Sequence, residues 1–161
     1  MKSINYEFHR PLHSELADLG GFGEAYAYAD PASAVVKMRL FTEVIVESVF
    51  DKAGLAKPFK ASLHDLLREP MFEKTVPKKV RMKIDAVRQH GNKAAHGKTT
   101  TDKTAVWILR ESLDLAVWFA RTFLDTTLEN SKFQDPLAEE ASSAAIDTRS
   151  RDEERKLNRQ I

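Results

Sequence analysis

The chain has 161 residues, 42% hydrophobic and 30% charged, with a formal net charge of +1 at pH 7 and no cysteine. That length fits one domain with a substantial core and leaves no room for a second full-size one, while the missing cysteines exclude disulfides, thiolate metal sites and a cysteine nucleophile. No run of about 18 apolar residues offers a transmembrane span, and the opening MKSINYEFHRPLHSEL has no secretory apolar stretch, so the expected location is cytoplasmic.

Residues 12–29 read as a weak helix, open to a break at Gly20, Gly21 and Gly23, because each glycine costs about 1 kcal/mol against alanine in a helix interior. Asp30-Pro31 is a strong helix start, with aspartate as N-cap and proline at the first helical position. The helix runs to Gly54, with Ala34, Met38, Phe41, Ile45 and Val49 on one stripe, widened by Val35, Leu40, Val44 and Phe50. Arg39, Glu43 and Glu47 form a polar ridge, and so wide a stripe implies more than one neighbour. Ser62-Leu63-His64-Asp65 has the form of a capping box, opening a short helix that Pro70 ends.

Thr75 and Pro77 start the next helix, where Val80, Ile84 and Val87 mark an apolar face. It leads into Arg88-Gln89-His90-Gly91-Asn92-Lys93-Ala94-Ala95-His96, and Gly91 suits either a continuing helix or a C-terminal cap. Residues 97–102 form a polar loop ending in a cap, and the longest apolar helix spans about 103–128. Val106, Leu109, Leu113, Val117, Ala120 and Leu124 line one face, with Ile108, Leu115, Phe119 and Trp107 or Trp118 on another, which places it centrally. Both tryptophans read as core or interface packing.

No alternating strand is evident, so the expected class is all-α: one bundle of four to five helices over residues 1–129. Residues 130–161 read as a charged, flexible tail or linker, where Leu137, Ile146 and Leu157 are too scattered to order the chain. Residues 149–160 could form an exposed helix or the start of a coiled coil.

On a continuing helix Arg88, Asn92 and His96 fall at i, i+4 and i+8 and share a face. A cation, an amide and an imidazole in line could orient a phosphodiester, or could satisfy one another in a packed domain, and the sequence leaves both open. Residues 71–98 are the electropositive part of the chain, with Lys78, Lys79, Arg81, Lys83, Arg88, Lys93 and Lys98 the candidate nucleic-acid contacts and His90 and His96 adding charge at mild acidity. A solvated lysine-rich face is the plainer alternative. Arg39 and Glu43 are spaced for an intrahelical ion pair, or to hold Arg88 across the bundle with Gly91 in support. Gly91 to Gly97 has five intervening residues where a phosphate-binding P-loop has four, and it follows a helix where that loop follows a strand. His90 and His96 lack a third metal ligand at a recognisable interval, so neither metal nor cofactor is expected.

Several segments together resemble the small amino-terminal helical domain of type I restriction endonuclease R subunits. They are Asp30-Pro31 with Ala34, Lys37, Arg39, Phe41 and Glu43, then His64-Asp65-Leu66-Leu67, the 87–96 block with its Arg-x-x-Gly-Asn-x-Ala-Ala-His core, and the Trp107 to Trp118 helix. That domain in turn is similar to the HEPN (higher eukaryotes and prokaryotes nucleotide-binding) superfamily, many of whose members are metal-independent RNases. The position before Asn92, where an active member carries arginine, is Gly91, and the nearest arginine is Arg88, one turn earlier.

The resemblance therefore implies a non-catalytic accessory domain that contacts DNA or other restriction-modification subunits. An RNase using Arg88, Asn92 and His96 is the enzymatic alternative, and a purely structural interaction module a third. DNA and sister subunits are the expected partners, with RNA and a second copy of the chain also open and no membrane. The nuclease and motor of such subunits are absent, so the chain reads as a piece of a longer R subunit or a free-standing relative.

Overall fold

Asp30 and Pro31 do what their chemistry dictates. The Asp30 carboxylate accepts hydrogen bonds from the Ser33 backbone N–H (3.2 Å) and hydroxyl (2.6 Å), with Pro31 in the first turn. In the computed structural model, which describes residues 1–129 and 132–137, this start opens the longest of the six α-helices assigned among those residues. They are α1 (Ser14–Tyr26), α2 (Pro31–Ala53), α3 (Leu63–Leu67), α4 (Pro70–Thr75), α5 (Lys78–Ala95) and α6 (Asp102–Phe119), and no strand occurs among the described residues. The class is all-α. Among the described residues no helix is long and apolar enough to cross a membrane.

The wide stripe of α2 has the neighbours it implies: Val35, Met38, Phe41, Ile45, Val46 and Val49 are buried where α2 packs on α1, α5 and α6. Helix α6 also touches α1, α2 and α5, so the two helices with the broadest apolar surfaces share the middle. Leu40 and Trp107, counted with the apolar faces in sequence, are 42% and 39% exposed.

Helix α1 does not break at its glycines. A Cβ on Gly20 would stand 2.3 Å from Tyr6 Cδ2, and one on Gly21 2.6 Å from the Lys2 carbonyl oxygen, so the missing side chains admit the amino-terminal segment. The propensity lost there is offset by burial of Tyr6, which meets Phe41 edge-on at 5.1 Å and donates its hydroxyl hydrogen bond to the Leu109 carbonyl. Burial, with the charges of Glu24 and Asp114, pushes the Tyr6 hydroxyl well above its usual range, which keeps it a donor.

Buried Glu24 holds the same segment. Its carboxylate accepts from Ser3 Oγ, the Ile4 N–H (3.0 Å), the Asn5 N–H (2.9 Å) and Asn5 Nδ2 (2.8 Å). Asn5 also donates to the Gln134 carbonyl (2.9 Å) and accepts from the Gln134 N–H (2.8 Å). Tyr28 donates to Asp135 (2.7 Å), and the Arg110 guanidinium lies 5.0 Å from the Phe133 ring centroid. Residues 132–137, assigned from sequence to the flexible tail, are thus docked on the bundle by polar and aromatic contacts that aliphatic counting does not register. The expected helix or coiled coil at 149–160 lies outside the described residues.

The Ser62 capping box forms with aspartate in the third position: Ser62 Oγ accepts from Asp65 N–H (3.2 Å) and Asp65 from Ser62 N–H (3.0 Å). Helix α3 ends at Leu67, and Pro70 begins α4, an element absent from the sequence reading, because at a first-turn position the missing proline N–H costs nothing. Phe72 stacks on Phe50 at 5.3 Å and ties α4 to the end of α2. Regular α6 stops at Phe119, short of the expected 128, and a π turn over Ala120–Leu124 sets Phe123 5.8 Å from both Trp118 and Phe119.

Candidate anion-binding groove

Helix α5 is divided by its composition. Ile84, Val87, Gly91 and Ala94 are buried at helical spacing, and the remaining surface is rich in Lys and Arg. The helix passes through Gly91 and ends with Gly97 in the left-handed region (φ 77°). There the Gly97 N–H donates to the Ala94 carbonyl (3.1 Å) and the Lys98 N–H to Lys93 (3.0 Å), the two bonds of a Schellman cap. Gly91 serves close approach: a Cβ there would lie 2.6 Å from Arg39 Cβ and 2.8 Å from its Cδ. The Arg39 stem lies across α5 and its Nε stands 3.5 Å from Glu43, so this pair does not hold Arg88.

Arg88 finds its carboxylate on its own helix. Nε donates to Asp85 at 2.9 Å and Nη2 lies 2.8 Å from the same oxygen, with the side chain 16% exposed. Asp85 also accepts from Gln89 Nε2 (2.6 Å). Asn92 and His96 share the helix surface with Arg88 as their spacing implies, but no hydrogen bond joins the three side chains, and His96 is exposed at the C-cap. The mutual-satisfaction arrangement considered from sequence is not formed.

Arg88 instead borders a groove between α3 and α5 of about 380 Å³, lined by His64, Leu67 and Arg68 on one side and Lys78, Arg81, Met82, Asp85 and Arg88 on the other. Arg81 is steadied by its Nε bond to the Val76 carbonyl (3.1 Å), and Arg68 Nη1 lies 3.3 Å from His64 Nε2. Arg68, Lys78, Arg81 and Arg88 face the single carboxylate of Asp85 here, which makes the groove electropositive. Guanidinium groups on a concave wall suit phosphate oxygens, which they bind in bidentate fashion.

The other candidates fall elsewhere. Lys79, Lys93 and Lys98 are exposed outside the groove lining. Lys83 is directed to α6, where Nζ donates to Glu111 (2.6 Å) and Asp114 (2.9 Å), so its charge is spent internally. Burial disfavours that ammonium, but the two carboxylates outweigh it and hold its pKa above the usual lysine value. His90 packs edge-on against Trp107 at 5.5 Å, and burial with the Lys93 charge lowers its pKa, which disfavours its cationic form. Sequence reasoning missed His64 and Arg68; their i, i+4 spacing behind the capping box was a signal, but only the packing of α3 on α5 gives it meaning.

Among the described residues no group of three or more His, Asp or Glu is arranged to hold a metal ion. Comparison with protein-family models, curated proteins and solved structures finds no match for this chain.

Proposed function

We propose that this chain is a non-catalytic nucleic-acid-contacting module, an accessory domain of a type I DNA restriction subunit or of a free-standing relative. One observation carries the binding reading: the α3–α5 groove, where four cationic side chains face one carboxylate. The restriction context rests on the sequence resemblance.

The arrangement around Arg88 favours binding over cleavage. Eight residues of helix separate the Arg88 and His96 Cα atoms by about 12 Å, and the guanidinium is engaged with Asp85 one turn towards the opposite end. General-base and phosphorane-stabilising groups of one reaction need to reach the same phosphate.

Fluorescence anisotropy with labelled DNA and RNA at low salt tests the proposal. Arg68→Glu with Arg81→Glu is expected to weaken binding at least about tenfold, since each reversed phosphate contact removes a charge-assisted bond worth about 1.5–3 kcal/mol. Lys93→Glu with Lys98→Glu, outside the groove, is expected to have a much smaller effect. Absence of binding by the unaltered chain, or equal losses from the two pairs, would overturn the reading. RNA cleavage in EDTA that disappears in His96→Ala would install the enzymatic one.

A further inference from the structure

The connection between α2 and α3 presents Phe59 at 91% exposure, the highest of any large apolar side chain among the described residues. The tip that carries it is pinned. Lys57 Nζ lies 3.2 Å from Asp51 at the end of α2, the Ala61 N–H donates to the Pro58 carbonyl (3.3 Å), and the Ser62 capping box follows at once. Lys60 sits in the left-handed region (φ 54°), the only non-glycine residue among those described to do so, and its Nζ lies 5.5 Å from the Phe59 ring centroid. Backbone strain of that kind persists where surrounding structure imposes it, and it clusters at functional sites.

An exposed ring with a lysine ammonium beside it is a combination that single-stranded nucleic acid uses, with bases stacking on the aromatic and phosphates meeting the cation. The groove begins close by. Five residue steps join Phe59 to His64, so their Cα atoms are at most about 18 Å apart even in a fully extended chain, within the span of the four or more nucleotides that such surfaces bind. We propose that Phe59 is a stacking platform for a base of single-stranded nucleic acid whose phosphates follow the α3–α5 groove. This rests on the nucleic-acid reading above and adds the strandedness of the ligand and the side chain that selects it.

The test compares the unaltered chain, Phe59→Ala and Phe59→Trp on four labelled probes: a single-stranded deoxyribo-oligonucleotide, its ribo equivalent, the matched duplex and an abasic strand of equal length. Phe59→Ala is expected to weaken binding to a base-bearing single strand by about 5- to 150-fold, with Phe59→Trp retaining it. Duplex and abasic strand should bind both variants alike. The deoxy and ribo arms identify which strand is preferred. Equal single-strand affinity of Phe59→Ala and the unaltered chain overturns the inference, as does an equal loss on the abasic strand, and either result leaves the groove proposal standing. No binding of any probe by the unaltered chain sinks the groove proposal itself and this inference with it.

Discussion

An alanine at Gly91 sets two effects of opposite sign against each other. In an open helix interior the change would stabilise by about 1 kcal/mol. Here the new Cβ would lie 2.6 Å from Arg39 Cβ, where ordinary contact begins at 3.4 Å, so α2 and α5 must part by close to 1 Å. Rotation of the Arg39 side chain clears its Cδ, at 2.8 Å, but cannot move Cβ, which is fixed to the α2 backbone. Overpacking of this kind typically costs about 1–3 kcal/mol, and separating the helices also loosens buried Ile84 and Val87. The expected net loss is about 1 kcal/mol, up to 2.

Urea denaturation at unchanged slope measures it, with Arg39→Gly as the second background. Removing Arg39 Cβ should reverse the sign, so that Gly91→Ala stabilises the Arg39→Gly protein by the helical increment of about 1 kcal/mol. A gain of stability from Gly91→Ala in the unaltered background would refute the close-approach reasoning.

Lys83→Ala is expected to leave nucleic-acid affinity unchanged and to lower stability by less than about 1 kcal/mol, the ordinary worth of a partly exposed ion pair; an affinity loss matching that of Arg81→Ala in anisotropy would contradict its assignment to Glu111 and Asp114. Glu24→Gln replaces one acceptor oxygen with a donor facing groups that already donate, so a loss of about 2–4 kcal/mol is expected, read by urea denaturation, with faster amide exchange at Asn5 and Gln134. Unchanged exchange there would show that the amino-terminal clamp is held by something else. Burial lowers the pKa of His9, against the opposing bond from its Nε2 to the Ala116 carbonyl, and burial with the Lys93 charge lowers that of His90. The unfolded chain therefore binds more protons than the folded one below about pH 6.5, and stability present above that value should fall as pH drops towards 5. Thermal melts across that range, shallower for His90→Gln, check the sign; rising stability on acidification would be the contrary result.

Elements with a local chemical cause could be read from the chain. Asp30-Pro31, the Ser62–Asp65 box and the apolar stripe of α5 each depend on neighbours within one or two helical turns, and each formed as expected. The failures share a different origin. Gly20 and Gly21 look like helix breakers until Tyr6 and the Lys2 carbonyl, far away in sequence, occupy the space they leave. Pro70 looks like a stop because its role as a start depends on Phe72 finding Phe50.

At the candidate site the sequence supplies the lysines but does not assign them. Nothing local distinguishes Lys83, consumed by α6, from Lys78, which lines the groove. The α3 wall of His64 and Arg68 became visible only when α3 was set against α5.

The central claim is that the groove cations meet phosphates, and the salt dependence of binding tests it most directly. Arg68, Lys78 and Arg81 line the groove with no carboxylate within ion-pair distance among the described residues, while Arg88 is engaged by Asp85. Three phosphate contacts at about 0.7 each give a slope of log affinity against log salt of about −2 for a single strand. A fourfold rise in salt should then weaken binding roughly 20-fold, and only about 7-fold for Arg81→Ala, whose slope falls to about −1.4. A slope near zero in the unaltered chain, or one that Arg81→Ala leaves unchanged, would contradict the assignment.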